Sequence, residues 1–160
     1  MAAALKMHVI GVREHPERGA AGAHEVMGYK PLDNAIGQAG FVVLAAPLTQ
    51  RTRHLIDVRR LQLFKPSAFL INVSRGALVD EAALVKALRD RRIAGAALDV
   101  FEEEPLSRWS PLWKMPQVLI TPHTAFLTEN VWHRHYEVFT ANLKRYIAGQ
   151  PLDDAVDKAR

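Results

Sequence analysis

No cysteine occurs among the 160 residues, so the chain holds neither a disulfide frame nor a thiolate metal site. No apolar run approaches the roughly 20 residues that a membrane-spanning helix needs. Charge of one sign is not in great excess. The net charge is +4, from 21 Lys and Arg against 17 Asp and Glu spread along the chain. The densest basic knot, Arg89-Asp90-Arg91-Arg92, falls at a predicted helix C-terminus, where cations suit the helix dipole. Nucleic-acid and membrane partners are therefore not expected. The opening MAAALKMHVIG is too short for a signal peptide and has no cleavage site, which makes a cytoplasmic protein the expectation. A last absence concerns glycine. No G-x-G-x-x-G occurs anywhere, and RGAAGAH at 18–24 has the wrong spacing with no strand before it.

What is present alternates. Continuously apolar runs at 7–13, 41–47, 68–73, 95–101 and 117–122 predict strands buried on both faces, with a shorter one at 25–29. Helical patterns lie between them, at 32–39, 57–64, 81–92 and 128–148. Asp80 is placed to cap the third of these. The fourth carries Trp132, Tyr136, Phe139, Leu143 and Ile147 on one stripe, which predicts core or an interface. His133 and His135 fall on different faces of that helix and make no metal pair. Trp109 and Trp113 are expected to pack in the core. Strands alternating with helices in this way predict the α/β class, a parallel sheet with flanking helices.

In such sheets ligands bind beyond the carboxyl ends of the strands. The first strand delivers Arg13 there, and the second Ala45, Ala46 and Pro47, a small and rigid ledge. The third delivers Ser74 and Arg75, the fourth Asp99 and then Glu104, the fifth His123. Arginine grips a carboxylate in a bidentate fork and polarises a neighbouring carbonyl. Histidine exchanges a proton with an oxygen near neutral pH, and a glutamate on its other ring nitrogen fixes its tautomer. The set suits reduction of a 2-oxo acid. Side chains cannot supply the hydride, so a nicotinamide cofactor is implied.

The segments VLAAPLTQRTRHLID, INVSRGALVDEAALVKAL, GAALDVFEEEPL and ITPHTA, in that order, resemble the NAD-binding domain of the D-isomer-specific 2-hydroxyacid dehydrogenases. That resemblance implies a Rossmann-type fold with NAD or NADP as cofactor and a 2-oxo or 2-hydroxy acid as substrate. It implies that Arg75 holds the substrate carboxylate, that His123 is the acid/base and that Glu104 is its partner. Asp99 then corresponds to the residue that holds the nicotinamide carboxamide. Ala46, Pro47, Val73 and Ser74 line the cofactor, and the backbone at Thr124 and Ala125 closes the site.

Two departures stand out. Arg13 sits where NAD-preferring members carry an acid for the ribose 2′-OH, which favours NADP(H), although Glu14 partly counters it. The glycine loop and the first strand of the family are not found. This implies a partial cofactor domain over 1–149, with 150–160 starting the return to a substrate domain. It also implies two unpaired sheet edges, and weak cofactor binding and no turnover by the chain alone. By analogy the full-length form is a homodimer. A corepressor-like cofactor sensor, built on the same fold, and an inactive gene fragment are the alternative readings.

Overall fold

The computed structural model describes residues 2–155; position 1 and positions 156–160, the end of the expected return segment, lie outside them. The chain divides into two compact units, Met1–His123 and Thr124–Arg160.

The first unit contains strands β1 (Ile10–Val12), β2 (Glu25–Met27), β3 (Phe41–Leu44), β4 (Phe69–Asn72), β5 (Gly95–Leu98) and β6 (Val118–Ile120). Its helices are α1 (Leu32–Gln38), α2 (Val58–Leu61) and α3 (Glu81–Arg89). Every pairing is parallel, as the alternation predicts. The strands form two sheets, one of order β1-β2 and one of order β3-β4-β5-β6. β1 and β3 are thus both edge strands, and both line a cavity of about 1030 Å³ together with α1. The expectation of two open edges agrees with this arrangement.

The strands are shorter than the apolar runs. Residues 45–47 and 100–101 are as apolar as a strand interior, yet they have left the ladder to form the loops at the carboxyl ends. Helix α2 likewise ends at Leu61, in turns that reach Phe64 before Pro66. Helix α3 begins where Asp80 caps it, the carboxylate accepting from the Ala83 amide at 2.9 Å.

Burial on both faces is corrected by the structure. Register places Leu44, Asn72, Leu98 and Ile120 in one row and Val42, Leu70, Ala96 and Val118 in the next. Those rows pack on Ile36, Leu61, Phe64, Leu84 and Leu88 to make the core. The opposite face, with Phe41, Val43, Phe69 and Leu119, is exposed. Its side chains are as apolar as those of the core face, so the sequence shows no alternation although the burial does.

The second unit contains α4 (Val131–Ile147). Its stripe of Trp132, Tyr136, Phe139, Leu143 and Ile147 is exposed, so the core role expected of it is corrected. Trp109 and Trp113 are also corrected: they are 80% and 53% exposed rather than core. The Arg108 guanidinium lies 4.7 Å over the Trp109 ring, and the Trp113 indole donates to the Ser107 carbonyl at 3.0 Å.

Candidate active site

The loop after β4 carries Arg75 and owes its shape to Asn72. This side chain is 1% exposed, and burying an amide costs free energy unless its bonds are made. They are made locally: Nδ2 donates to the Arg75 carbonyl at 2.9 Å, and Oδ1 accepts from the Ser74 amide at 3.2 Å. The Ser74 hydroxyl donates to the Ala46 carbonyl at 2.6 Å, tying this loop to the ledge after β3. The ledge is held in turn by Thr52, whose hydroxyl donates to the Pro47 carbonyl at 2.7 Å. Arg75 itself is exposed, and one of its N–H groups donates to the Ser74 carbonyl at 2.7 Å. Among the described residues it makes no ion pair with a carboxylate. Most of its five donors stay available to a ligand. Val73 is exposed beside it.

Gly76 follows, and here only glycine fits. A Cβ at this position would lie 1.8 Å from the Phe101 carbonyl carbon, so the backbone after β5 passes directly against it. That contact brings the turn holding Glu104 to the Arg75 loop. Glu104 accepts from the Phe101 amide at 3.0 Å through Oε1, and its Oε2 meets His123 Nδ1 at 2.8 Å. Partial burial resists ionisation of Glu104. The bonds from the His123 ring and the Phe101 amide, with the fields of His123 and Arg75, outweigh it and hold the carboxyl below the ordinary glutamate range. Glu104 is therefore a carboxylate at neutral pH, in the electrostatic field of both other residues.

His123 ends the run after β6 in the left-handed region, φ 54°, with its amide donating to the Asp99 carbonyl at 2.8 Å. A non-glycine residue held there costs free energy, and such residues cluster at functional sites. Asp99 is 3% exposed, and its carboxylate accepts from the Thr121 hydroxyl at 2.5 Å. Thr124 and Ala125 open the second unit.

At the other end of the row, Arg13 donates to the Gly19 carbonyl at 2.5 Å and lines the cavity with Ala45, Ala46 and Pro47. Glu14 is engaged by Arg51 at 2.5 Å. Within the first unit, Arg75, Glu104 and His123 are brought together by the Gly76 approach and the Glu104–His123 bond. Asn72 and Thr121 were missed by sequence reasoning. A polar residue closing an apolar strand run was the available signal for each.

A model of the family described as D-isomer specific 2-hydroxyacid dehydrogenase, NAD binding domain, matches residues 1–125. The glyoxylate reductase of Pyrococcus furiosus is 41% identical over 130 residues, which are 81% of this chain and 38% of that protein. The glyoxylate reductase of Pyrococcus horikoshii is 45% identical over 122 residues, 76% of this chain and 36% of that one. The chain spans less than half the length of these curated relatives. Among solved structures, a D-isomer specific 2-hydroxyacid dehydrogenase from Xanthobacter autotrophicus Py2, in complex with NADPH and MES, superposes with a TM-score of 0.85 at 40% identity. The match covers 94% of this chain and 61% of that one. The NADPH-dependent glyoxylate/hydroxypyruvate reductase of Sinorhizobium meliloti, in complex with NADP and sulfate, gives 0.86 at 32% identity, covering 98% and 50%.

Proposed function

The chain belongs to the D-isomer-specific 2-hydroxyacid dehydrogenases, NAD-binding domain, and from that premise we propose that it is the cofactor part of an enzyme interconverting a 2-oxo acid and a D-2-hydroxy acid. The observation that carries the reading is the Glu104–His123 bond of 2.8 Å formed beside Arg75. Arg75 grips the substrate carboxylate and polarises the carbonyl with the donors that Ser74 does not use. With Nδ1 committed to Glu104, Nε2 of His123 is the ring nitrogen that exchanges a proton with the carbonyl oxygen. Glu104 orients the ring and fixes its tautomer. A bound nicotinamide cofactor supplies the hydride.

Ala46, Pro47, Val73, Ser74 and Asp99 hold that cofactor, and Arg13 receives its adenosine end. Two features favour NADP(H) over NAD(H). Arg13 is a cation at the end of β1, and the acid beside it, Glu14, is already paired with Arg51. The relatives solved with NADPH or NADP are consistent with this choice. Glyoxylate and hydroxypyruvate, the substrates in the relatives' names, are the first 2-oxo acids to try. No described helix is long and apolar enough to cross a membrane. We place the enzyme in the cytoplasm as a homodimer, the exposed stripe of α4 supporting an interface.

The test is steady-state oxidation of NADPH with glyoxylate by a protein of the relatives' length carrying this domain. His123→Ala is expected to lower kcat on the order of 10²-fold or more. Arg75→Lys, which keeps the charge but loses the fork, is expected to act mainly on kcat/KM. Wild-type rates in both variants would remove the assignment.

A further inference from the structure

Two side chains outside this site are tied to the turn that presents Glu104. His54 Nε2 lies 2.5 Å from Glu102 Oε1, and the Glu102 amide donates to Glu81 Oε2 at 3.2 Å. One holds the side chain of Glu102 and the other its backbone. The preceding residue, Phe101, is buried and supplies the amide that binds Glu104 Oε1. The line of bonds therefore runs from His54 and Glu81 through Glu102 and Phe101 to Glu104, and from there to His123.

Both anchors are themselves fixed. The His54 amide donates to the Ala77 carbonyl at 2.8 Å, and Ile56 pairs in parallel with Val79. The Asp80 amide returns a bond to the Ile56 carbonyl at 3.0 Å, immediately before Glu81 opens α3. His54 is held at φ 49°, a conformation unfavourable for a residue with a Cβ. Glu81 sits where a charge is resisted. Its burial raises the carboxyl above the ordinary value, with the Glu102 amide lowering it and the charges of Glu102 and Glu103 raising it. An acid in the first turn of a helix gains from the dipole wherever it points. This one points at the Glu102 amide.

We propose that His54 and Glu81 are positioning residues, a two-point clamp on Glu102 that sets where the Glu104 carboxylate meets His123. The inference rests on reading Glu104 and His123 as the acid–base pair. Neither clamp residue touches substrate or cofactor; each acts through the turn.

The experiment reads the pair directly rather than turnover. In the ¹³C,¹⁵N-labelled chain, the Glu104 carboxyl titration and the ¹⁵N shifts of the His123 ring are followed by NMR. His54→Ala and Glu81→Ala are each expected to move the Glu104 midpoint towards the ordinary glutamate value, by at least about twofold in its acid dissociation constant. Each also lowers the share of His123 carrying its proton on Nδ1. His54→Gln keeps a donor within reach of Glu102, and Glu81→Gln keeps an acceptor, so both restore the wild-type signature. A stability role in helix α3 alone would leave Glu104 unmoved. Folded alanine variants with an unchanged Glu104 titration overturn the proposal. Should His54→Ala lose its fold, Glu102→Ala, at an exposed position, removes the same side-chain bond and carries the same expectation and the same power to overturn the proposal; should Glu81→Ala lose its fold, Glu81→Ser is read in its place. A shifted titration in a protein whose His123→Ala variant keeps its rate would uphold the clamp and refute the catalytic reading instead.

Discussion

Glu104 shows how much one residue's role depends on its neighbours. Its carboxyl stays ionised below the ordinary glutamate range, so His123 keeps an anionic partner into mild acid. Glu104→Gln removes that anion while preserving shape. In a protein of the relatives' length carrying this domain, the expected result is a kcat lowered on the order of 10²-fold at neutral pH. At pH low enough to protonate Glu104 the gap between the two proteins narrows, and the ratio of their pH–rate profiles measures it. At this scale the sequence was informative where motif and chemistry coincide, as at Arg75, Glu104 and His123. At Asn72 and Thr121 it offered only a polar residue closing an apolar run, and it was silent on His54, whose part depends on which loop crosses which. The bond from His54 to Glu102 joins residues 48 apart. No local pattern encodes it.

At the scale of elements, the contact between the Gly76 loop and the Phe101–Glu104 turn joins two strand ends. Gly76→Ala puts a methyl carbon into the Phe101 carbonyl, so the backbone must move. The expected cost is at or above the upper end of the roughly 1–3 kcal/mol of overpacking, read by denaturant unfolding. Helices α1 and α2 are joined differently. Asp33 accepts from Arg59 and Arg60, whose hydrogen bonds and charges outweigh burial and lower its pKa to about 2. The folded value lies below the unfolded one, so the stabilisation is complete above the ordinary aspartate pKa. It is lost as the pH falls from there towards 2. Solvent screens this half-exposed cluster, so Asp33→Asn should cost less than about 1 kcal/mol at pH 7 and nearly nothing near pH 2. Thermal unfolding across that window checks both ends. Element types and order followed from the alternation of apolar runs and helical stripes. Strand ends did not, because Ala45 to Pro47 and Val100 to Phe101 are apolar in order to shape loops.

In the first unit the candidate residues stand at the carboxyl ends of strands drawn from two separate parallel sheets. Class and strand direction were legible, since only crossovers connect such strands. Two open edges were expected from the resemblance, whereas burial on both faces was expected and is corrected. Edge strands β1 and β3 flank the cavity beside Arg13 and the Ala46-Pro47 ledge. The central claim is that Arg13, the ledge, Arg75, Glu104 and His123 form one cofactor and substrate site. The most direct measurement is amide chemical-shift mapping of the ¹⁵N-labelled chain during titration with NADPH, then with oxamate as a 2-oxo acid mimic. The account predicts weak, millimolar binding, with NADPH shifting the amides of Arg13, Ala46, Val73, Ser74 and Asp99 and oxamate those of Arg75 and His123. Shifts centred elsewhere, or micromolar NADPH affinity that leaves these amides unmoved, would contradict it.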